Sequence, residues 1–301
     1  ASGKQDAAEQ SLQAAEKALA PNTDGTTETL PLERRPQCTD RMQVQGRIAV
    51  TRAAMAFFRG DVPAIIQLAR QAIEYLPKQD IWRSTAIITL GDAHVVKGEI
   101  TEAYRVQLEA VEASKAIGNI YMILMTNLKL AITLREQGRL EQVIEICQQQ
   151  MQFANENGLS QTAAVGWALA IWSEVLAELD DLDSTIHQAK KGGELTRHGG
   201  DVGILGSSYL CLTRILFTSG DMTGAEVALQ EMAHLARETG VPPRIMNLIA
   251  TWQARIWLAQ DNLKAATQWM QERGLGVGKV PTLLYEMEYG IVSARIFIAQ
   301  G

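Results

Sequence analysis

The apolar positions of this chain repeat at helical spacing within segments and at a longer spacing between them. A short phrase returns along the sequence: Gly60-Asp61-Val62, Gly98-Glu99-Ile100, Gly138-Arg139-Leu140, Asp180-Asp181-Leu182, Gly220-Asp221-Met222 and Asp261-Asn262-Leu263, with Gly301 opening a seventh copy. Successive copies lie 38, 40, 42, 40, 41 and 40 residues apart, so the unit is about 40 residues long. Glycine tolerates the left-handed conformation that closes a helix, and Asp or Asn can cap the helix that follows. Each phrase therefore predicts the turn of an αα-hairpin.

Columns counted from the turn support this. Seven residues before it stand Ala53, Gly91, Ala131, Ser173, Thr213, Ala254 and Ala294, all small enough for two helices to approach closely. Four before it the side chain is mostly apolar, with His94 the exception, and two after it always apolar, which defines the core stripe. The predicted helix pairs are 41–59 with 62–77, 80–97 with 100–117, 119–137 with 140–157, 160–179 with 182–198, 201–219 with 222–240, and 242–260 with 262–273. Asp6 to Ala20 reads as a lone second helix, Pro21 to Asp40 as a polar loop, and Val280 to Gln300 as a lone first helix. No strand has an obvious place.

The expected fold is all-α, a right-handed superhelical solenoid of antiparallel helix pairs forming one domain over 1–301. Residues 1–40 supply a half-repeat and loop, 41–273 six helix pairs, and 274–301 a linker and the start of a seventh pair. A repeat buries its apolar face only against neighbours, so half-repeats at both ends lead us to expect a longer parent chain.

Bulk composition narrows the function. Hydrophobic residues are 47% and charged residues 21%, enough for a substantial core. A formal charge of -6 argues against the chain itself gripping a phosphate backbone. Cys38, Cys147 and Cys211 form no Cys-x-x-Cys pair and read as free thiols filling core space in a reducing cytoplasm. Four scattered histidines give no metal-ligand spacing, and neither a secretory segment nor a membrane span is legible. Gly274-Leu275-Gly276-Val277-Gly278-Lys279 has Arg273 where a phosphate loop needs its first Gly and Val280 where it needs Ser or Thr, so it reads as a linker. With no nucleophile elbow either, and with acidic pairs such as Asp180-Asp181 placed at turns, an enzyme is not expected.

Stretches such as Arg52-Ala53-Ala54-Met55-Ala56-Phe57-Phe58-Arg59-Gly60-Asp61-Val62, Leu68-Ala69-Arg70-Gln71-Ala72 and Trp257-Leu258-Ala259-Gln260-Asp261 resemble the tetratricopeptide-like sensor region of the large ATP-binding LuxR-type (MalT-like) transcription activators. Gly118-Asn119, Gln137-Gly138-Arg139-Leu140 and Arg273-Gly274-Leu275 extend the likeness over roughly residues 40 to 301. The resemblance implies a parent with an ATPase module upstream and a DNA-reading helix-turn-helix downstream. ATP is then expected only in that upstream module, with no cofactor in this segment, and DNA contact only through the downstream domain. It also implies a small-molecule inducer or regulatory protein as partner, and a self-associating parent.

A stacked array curves, and the first helix of each pair lines its concave wall. Six residues before each turn that wall reads Ala54, Asp92, Ile132, Glu174, Arg214, Arg255 and Arg295; rows at thirteen and two before it add Arg47, Trp167 and Glu288, then Phe58, Glu136 and Glu178. Asp92, Glu136, Trp167, Glu174, Glu178, Arg214 and Arg255 are the candidate ligand-binding residues. They could stack and hydrogen-bond an oligosaccharide, or hold an anionic metabolite between Arg214 and Arg255. The same charges could instead pair across repeats as a solvated ladder. Trp172 reads as core, while Tyr209 and Trp252 fit either role. Inducer sensing without chemistry is the leading expectation, and a scaffold gripping a peptide or partner helix is the alternative.

Overall fold

Among the described residues, the phrases of the repeat terminate one helix and start the next for visible local reasons. In the computed structural model, which describes residues 2–19, 38–179, 182–197, 202–239, 241, 243–275 and 283–301, Gly60, Gly98, Gly138 and Gly220 all take positive φ between 71° and 84°. The sixth turn places Asp261 in the same region, at φ 57°. Capping follows where the side chain allows it: the Ala64 N–H donates to Asp61 at 3.1 Å, Gly224 to Asp221 at 2.8 Å, and Ala265 to Asn262 at 3.3 Å. Glu99 and Arg139 cap nothing with their side chains. The fourth turn, at Asp180-Asp181, lies outside the described residues.

The described residues form fourteen helices and no strand. After α1 (Ser2–Leu19) come α2 (Cys38–Arg59) with α3 (Val62–Tyr75), α4 (Ile81–Lys97) with α5 (Ile100–Ile117), and α6 (Ile120–Glu136) with α7 (Leu140–Glu156). Then follow α8 (Ala163–Glu178) with α9 (Leu182–Arg197), α10 (Val202–Thr218) with α11 (Met222–Thr239), α12 (Pro243–Ala259) with α13 (Leu263–Glu272), and α14 (Leu284–Gln300). Helix α2 begins at Cys38, inside the stretch read as loop. Most of that loop, and Gly276 to Lys279 of the linker, lie outside the described residues.

The two helices of a pair differ in amphipathicity because they differ in neighbours. Second helices bury one stripe, as in α3 with Val62, Ile65, Ala69 and Ala72. First helices are covered by their own partner and by the adjacent repeats, so α8 buries an unbroken run from Ala164 to Ile171. The small column makes this contact possible: Ala53, Ala131, Ser173, Thr213 and Ala254 are all fully buried. At Gly91 a β-carbon would lie 2.8 Å from Gln107 Cγ. Ala294 of α14 is exposed.

Two long-range features shape the interior. Helix α1 is tied to α2 by Arg52, which reaches Glu9 at 2.8 Å and Glu16 at 2.5 Å. At the other end the array curls back on itself, so that α14 touches α4 and Leu283 packs on Ala56, Val62, Ile65, Ala93 and Val96. The concave wall thus encloses a space.

Candidate functional site

The enclosed space contains a cavity of about 300 Å³ between α2, α4, α6, α8, α10 and α12. Its wall follows the columns of the repeat. Thirteen residues before their turns stand Met125, Trp167 and Ser207; six before stand Asp92 and Ile132; two before stands Phe58. Two cations enter it, Lys129 from α6 and Arg244 from the first turn of α12. Lys129 Nζ lies 2.6 Å from Asp92 Oδ2 and 5.5 Å from the centroid of the Trp167 ring. Trp167 is buried, and its Nε1–H has no acceptor among the described residues. Behind Gly91, Gln107 lines the cavity and accepts from the Thr133 hydroxyl at 2.5 Å.

Beside the cavity runs a chain of charges across three successive first helices and α14. Arg135 binds Glu136 at 2.9 Å and also contacts Glu174; Arg214 binds Glu174 at 2.8 Å and Glu288 at 2.7 Å. Burial alone would raise the Glu174 carboxyl, but Arg135 and Arg214, helped by the Cys211 thiol, outweigh it and hold its pKa at about 2. Burial of Cys211 beside this carboxylate pushes its thiol well above the usual range. Glu174 is therefore ionised and fully engaged at neutral pH. The chain is the expected inter-repeat ladder, but it is interior rather than solvated.

Arg255 sits apart. Its guanidinium lies 4.1 Å from the Trp252 ring centroid and 5.4 Å from that of Phe217, while Arg214 approaches the same Trp252 ring at 5.6 Å. It has no ion pair among the described residues, and burial, with repulsion from Arg295, lowers its pKa. The pair expected to clamp an anion, Arg214 and Arg255, thus shares an indole instead of facing open space. Trp252 and Tyr209 are buried, and Trp172 packs on the core.

The candidate residues fall into three groups. Asp92 and Trp167 line the cavity; Glu136, Glu174 and Arg214 form the charge chain, with Arg255 stacked next to it. Glu178 is exposed in the last turn of α8 and joins neither. Five further residues take part: Lys129, Arg135, Cys211, Arg244 and Trp252. Lys129, Cys211 and Trp252 share a row nine residues before their turns, one helical turn from the row at thirteen. That spacing is the signal by which they could have been found.

Among the described residues no cluster of His, Cys, Asp or Glu could hold a metal ion, and no helix is long and apolar enough to cross a membrane.

The family model for the MalT-like TPR region matches residues 46–301. None of the curated proteins matches this sequence. Among solved structures, the Rap conjugation gene regulator of plasmid pLS20, in complex with the Phr* peptide, is similar with a TM-score of 0.64 at 14% identity, covering 88% of this chain and 73% of that one. A Rap protein complexed with Competence and Sporulation Factor gives 0.58 at 12% identity, over 85% and 75%. A signal transduction ATPase with numerous domains, carrying a tetratricopeptide repeat sensor, from Pyrococcus horikoshii gives 0.50 at 14% identity, over 87% of this chain and 41% of that one.

Proposed function

The chain belongs to the MalT-like TPR region family, and from that premise we propose that it is the sensing part of a larger cytoplasmic transcription activator of the LuxR type, taking a small-molecule inducer into the interior of its superhelix. The ligand acts by binding alone. The cavity carries this reading: it draws its wall from six first helices spread over the array, so one occupant touches repeats far apart in sequence. A ligand with different contacts in open and closed forms of the superhelix shifts the balance between them. In the parent, that shift would reach an ATP-binding module upstream and a DNA-reading domain downstream, and favour self-association.

Size favours a small molecule. About 300 Å³ sits at the low end of the range of small-molecule pockets, and α14 crosses the concave side where a peptide would otherwise lie. The two Rap structures were solved with a peptide and with Competence and Sporulation Factor, and this similarity supports the second reading, a peptide held in an opened groove. Titration calorimetry of the 301-residue chain against metabolite and peptide libraries separates the two readings. A small-molecule ligand whose affinity falls about tenfold or more in Lys129→Met or Trp167→Leu, the scale of a lost cation or aromatic contact, supports the cavity. Binders indifferent to both substitutions would remove it.

A further inference from the structure

We propose that the cavity selects a singly charged carboxylate carried on a mainly apolar body, with Arg244 as the group that recognises the carboxylate. The proposal rests on the interior-ligand reading above and adds the chemical class of the ligand.

The charges around the cavity are nearly all balanced by one another. Lys129 is neutralised by Asp92 at 2.6 Å. The chain Glu136, Arg135, Glu174, Arg214, Glu288 has three carboxylates and two guanidiniums, so it carries one excess negative charge. Arg255, drawn electrostatically by Glu288, offsets that excess. Arg244 is the cation left over: it lines the cavity and has no hydrogen bond or ion pair to another described residue. Burial disfavours its charge more than Asp92, the strongest of the neighbouring acids, restores, which places its pKa below the usual arginine value. A guanidinium stays charged regardless, and presents a planar fork that fits a carboxylate with two parallel hydrogen bonds.

The remaining wall sets the rest of the ligand. Phe58, Trp167, Ile204 and Ile245 offer aromatic and aliphatic surface, and few neutral polar groups converge there. A polyhydroxylated body would leave its hydroxyls without partners. A phosphate dianion would bring a second negative charge toward Asp92, where Lys129 is already engaged. One carboxylate on an apolar frame satisfies both constraints.

The test uses the full 301-residue chain, titration calorimetry, and three probes: 4-phenylbutyrate, its neutral analogue 4-phenylbutanamide, and 3-phenylpropyl phosphate. We expect 4-phenylbutyrate to bind about tenfold or more tightly than the amide, as a charge-assisted pair requires, and more tightly than the phosphate. Arg244→Met should bring butyrate and amide to equal affinity, and Arg244→Lys should keep part of the difference. Without ligand, Arg244→Met should melt at or above the wild-type temperature, because it removes a half-buried charge that has no ion pair among the described residues. Equal binding of butyrate and amide to the wild type, tighter binding of the phosphate, or a preference for butyrate that survives Arg244→Met would overturn the carboxylate assignment. So would a markedly lower melting temperature of Arg244→Met, which would make Arg244 a structural residue. Any of these results leaves the interior site standing. Failure of all three probes to bind, or binding unchanged by Trp167→Leu, would overturn the interior site itself.

Discussion

Replacing Glu174 with Gln should destabilise the middle of the array more than any surface change. The carboxylate is almost fully buried and binds two guanidiniums from the repeats on either side, Arg135 of α6 and Arg214 of α10. Glutamine keeps the shape and removes the charge, leaving both arginines short of an anion. Breaking a buried pair on one side costs about 3–5 kcal/mol. The low end applies here, since the two arginine side chains keep 23% and 28% of their surface exposed. Linkage gives a similar figure. The folded-state pKa is about 2 against 4.5 for the free group, and this gap corresponds to roughly 3 kcal/mol at neutral pH. Because the folded pKa is depressed, the contribution is fully present above pH 4.5 and is lost as pH falls toward 2. For 301 residues, 3 kcal/mol converts to a drop of about 5 °C in melting temperature if the array melts as one unit. Circular-dichroism melts of both proteins at pH 7 and at steps between pH 5 and pH 2.5 check this: the 5 °C gap should shrink steadily as the pH is lowered. A gap below 1 °C at neutral pH would show that the charge chain contributes no net stability, and one that stays constant down to pH 2.5 would show that the contribution of Glu174 does not come from its charge.

Adjacent glycines of α9 should respond in opposite directions. A β-carbon on Gly192 would lie 2.7 Å from the Gly166 carbonyl oxygen, so Gly192→Ala should cost about 1–3 kcal/mol in denaturant titrations. On Gly193 the nearest atom is Leu212 Cδ2 at 3.9 Å, and Gly193→Ala should stabilise by about 0.5–1 kcal/mol through helix propensity. At the sixth turn Asp261 holds the left-handed conformation that glycine holds at four others, and Asp261→Gly should raise stability by about 0.5–1 kcal/mol in the same assay. Burial pushes the Cys147 thiol up to about 12 and the Cys211 thiol well above its usual range, so neither should be alkylated at pH 8 before the protein unfolds; early labelling in peptide mapping by mass spectrometry would contradict their placement.

The hairpins were legible because their determinants are local. A turn needs glycine or a short polar residue at one position, and a close helix crossing needs a small one seven residues earlier; both can be read within one repeat. The start of α2 was misplaced by three residues, since Cys38, Thr39 and Asp40 belong to the helix although Thr and Asp are residue types that also serve as caps and turn formers. The closure of the array was not legible. Glu288 meets Arg214 from 74 residues away, and Leu283 packs on Ala56 and Ala93, contacts set by the accumulated rotation between repeats and not by any one repeat's pattern.

The site shows the same division. Asp92 and Trp167 line the cavity because the rows six and thirteen before the turn bring Asp92, Ile132, Met125, Trp167 and Ser207 to one wall, and a row is a property of helical spacing. What each residue does there depends on partners from other repeats. Glu174 looked like a group awaiting a ligand, and it is occupied by Arg135 from the row three before its turn. Arg244 lies seventeen before its turn, in the first turn of α12, where no column had drawn attention. A charged residue on a concave wall is therefore informative only after its neighbours have been charged against it. Among the described residues that accounting pairs Asp92, Glu136, Glu174 and Arg214, and leaves Arg244, a cavity-lining cation at a position the pattern passed over, without an ion pair.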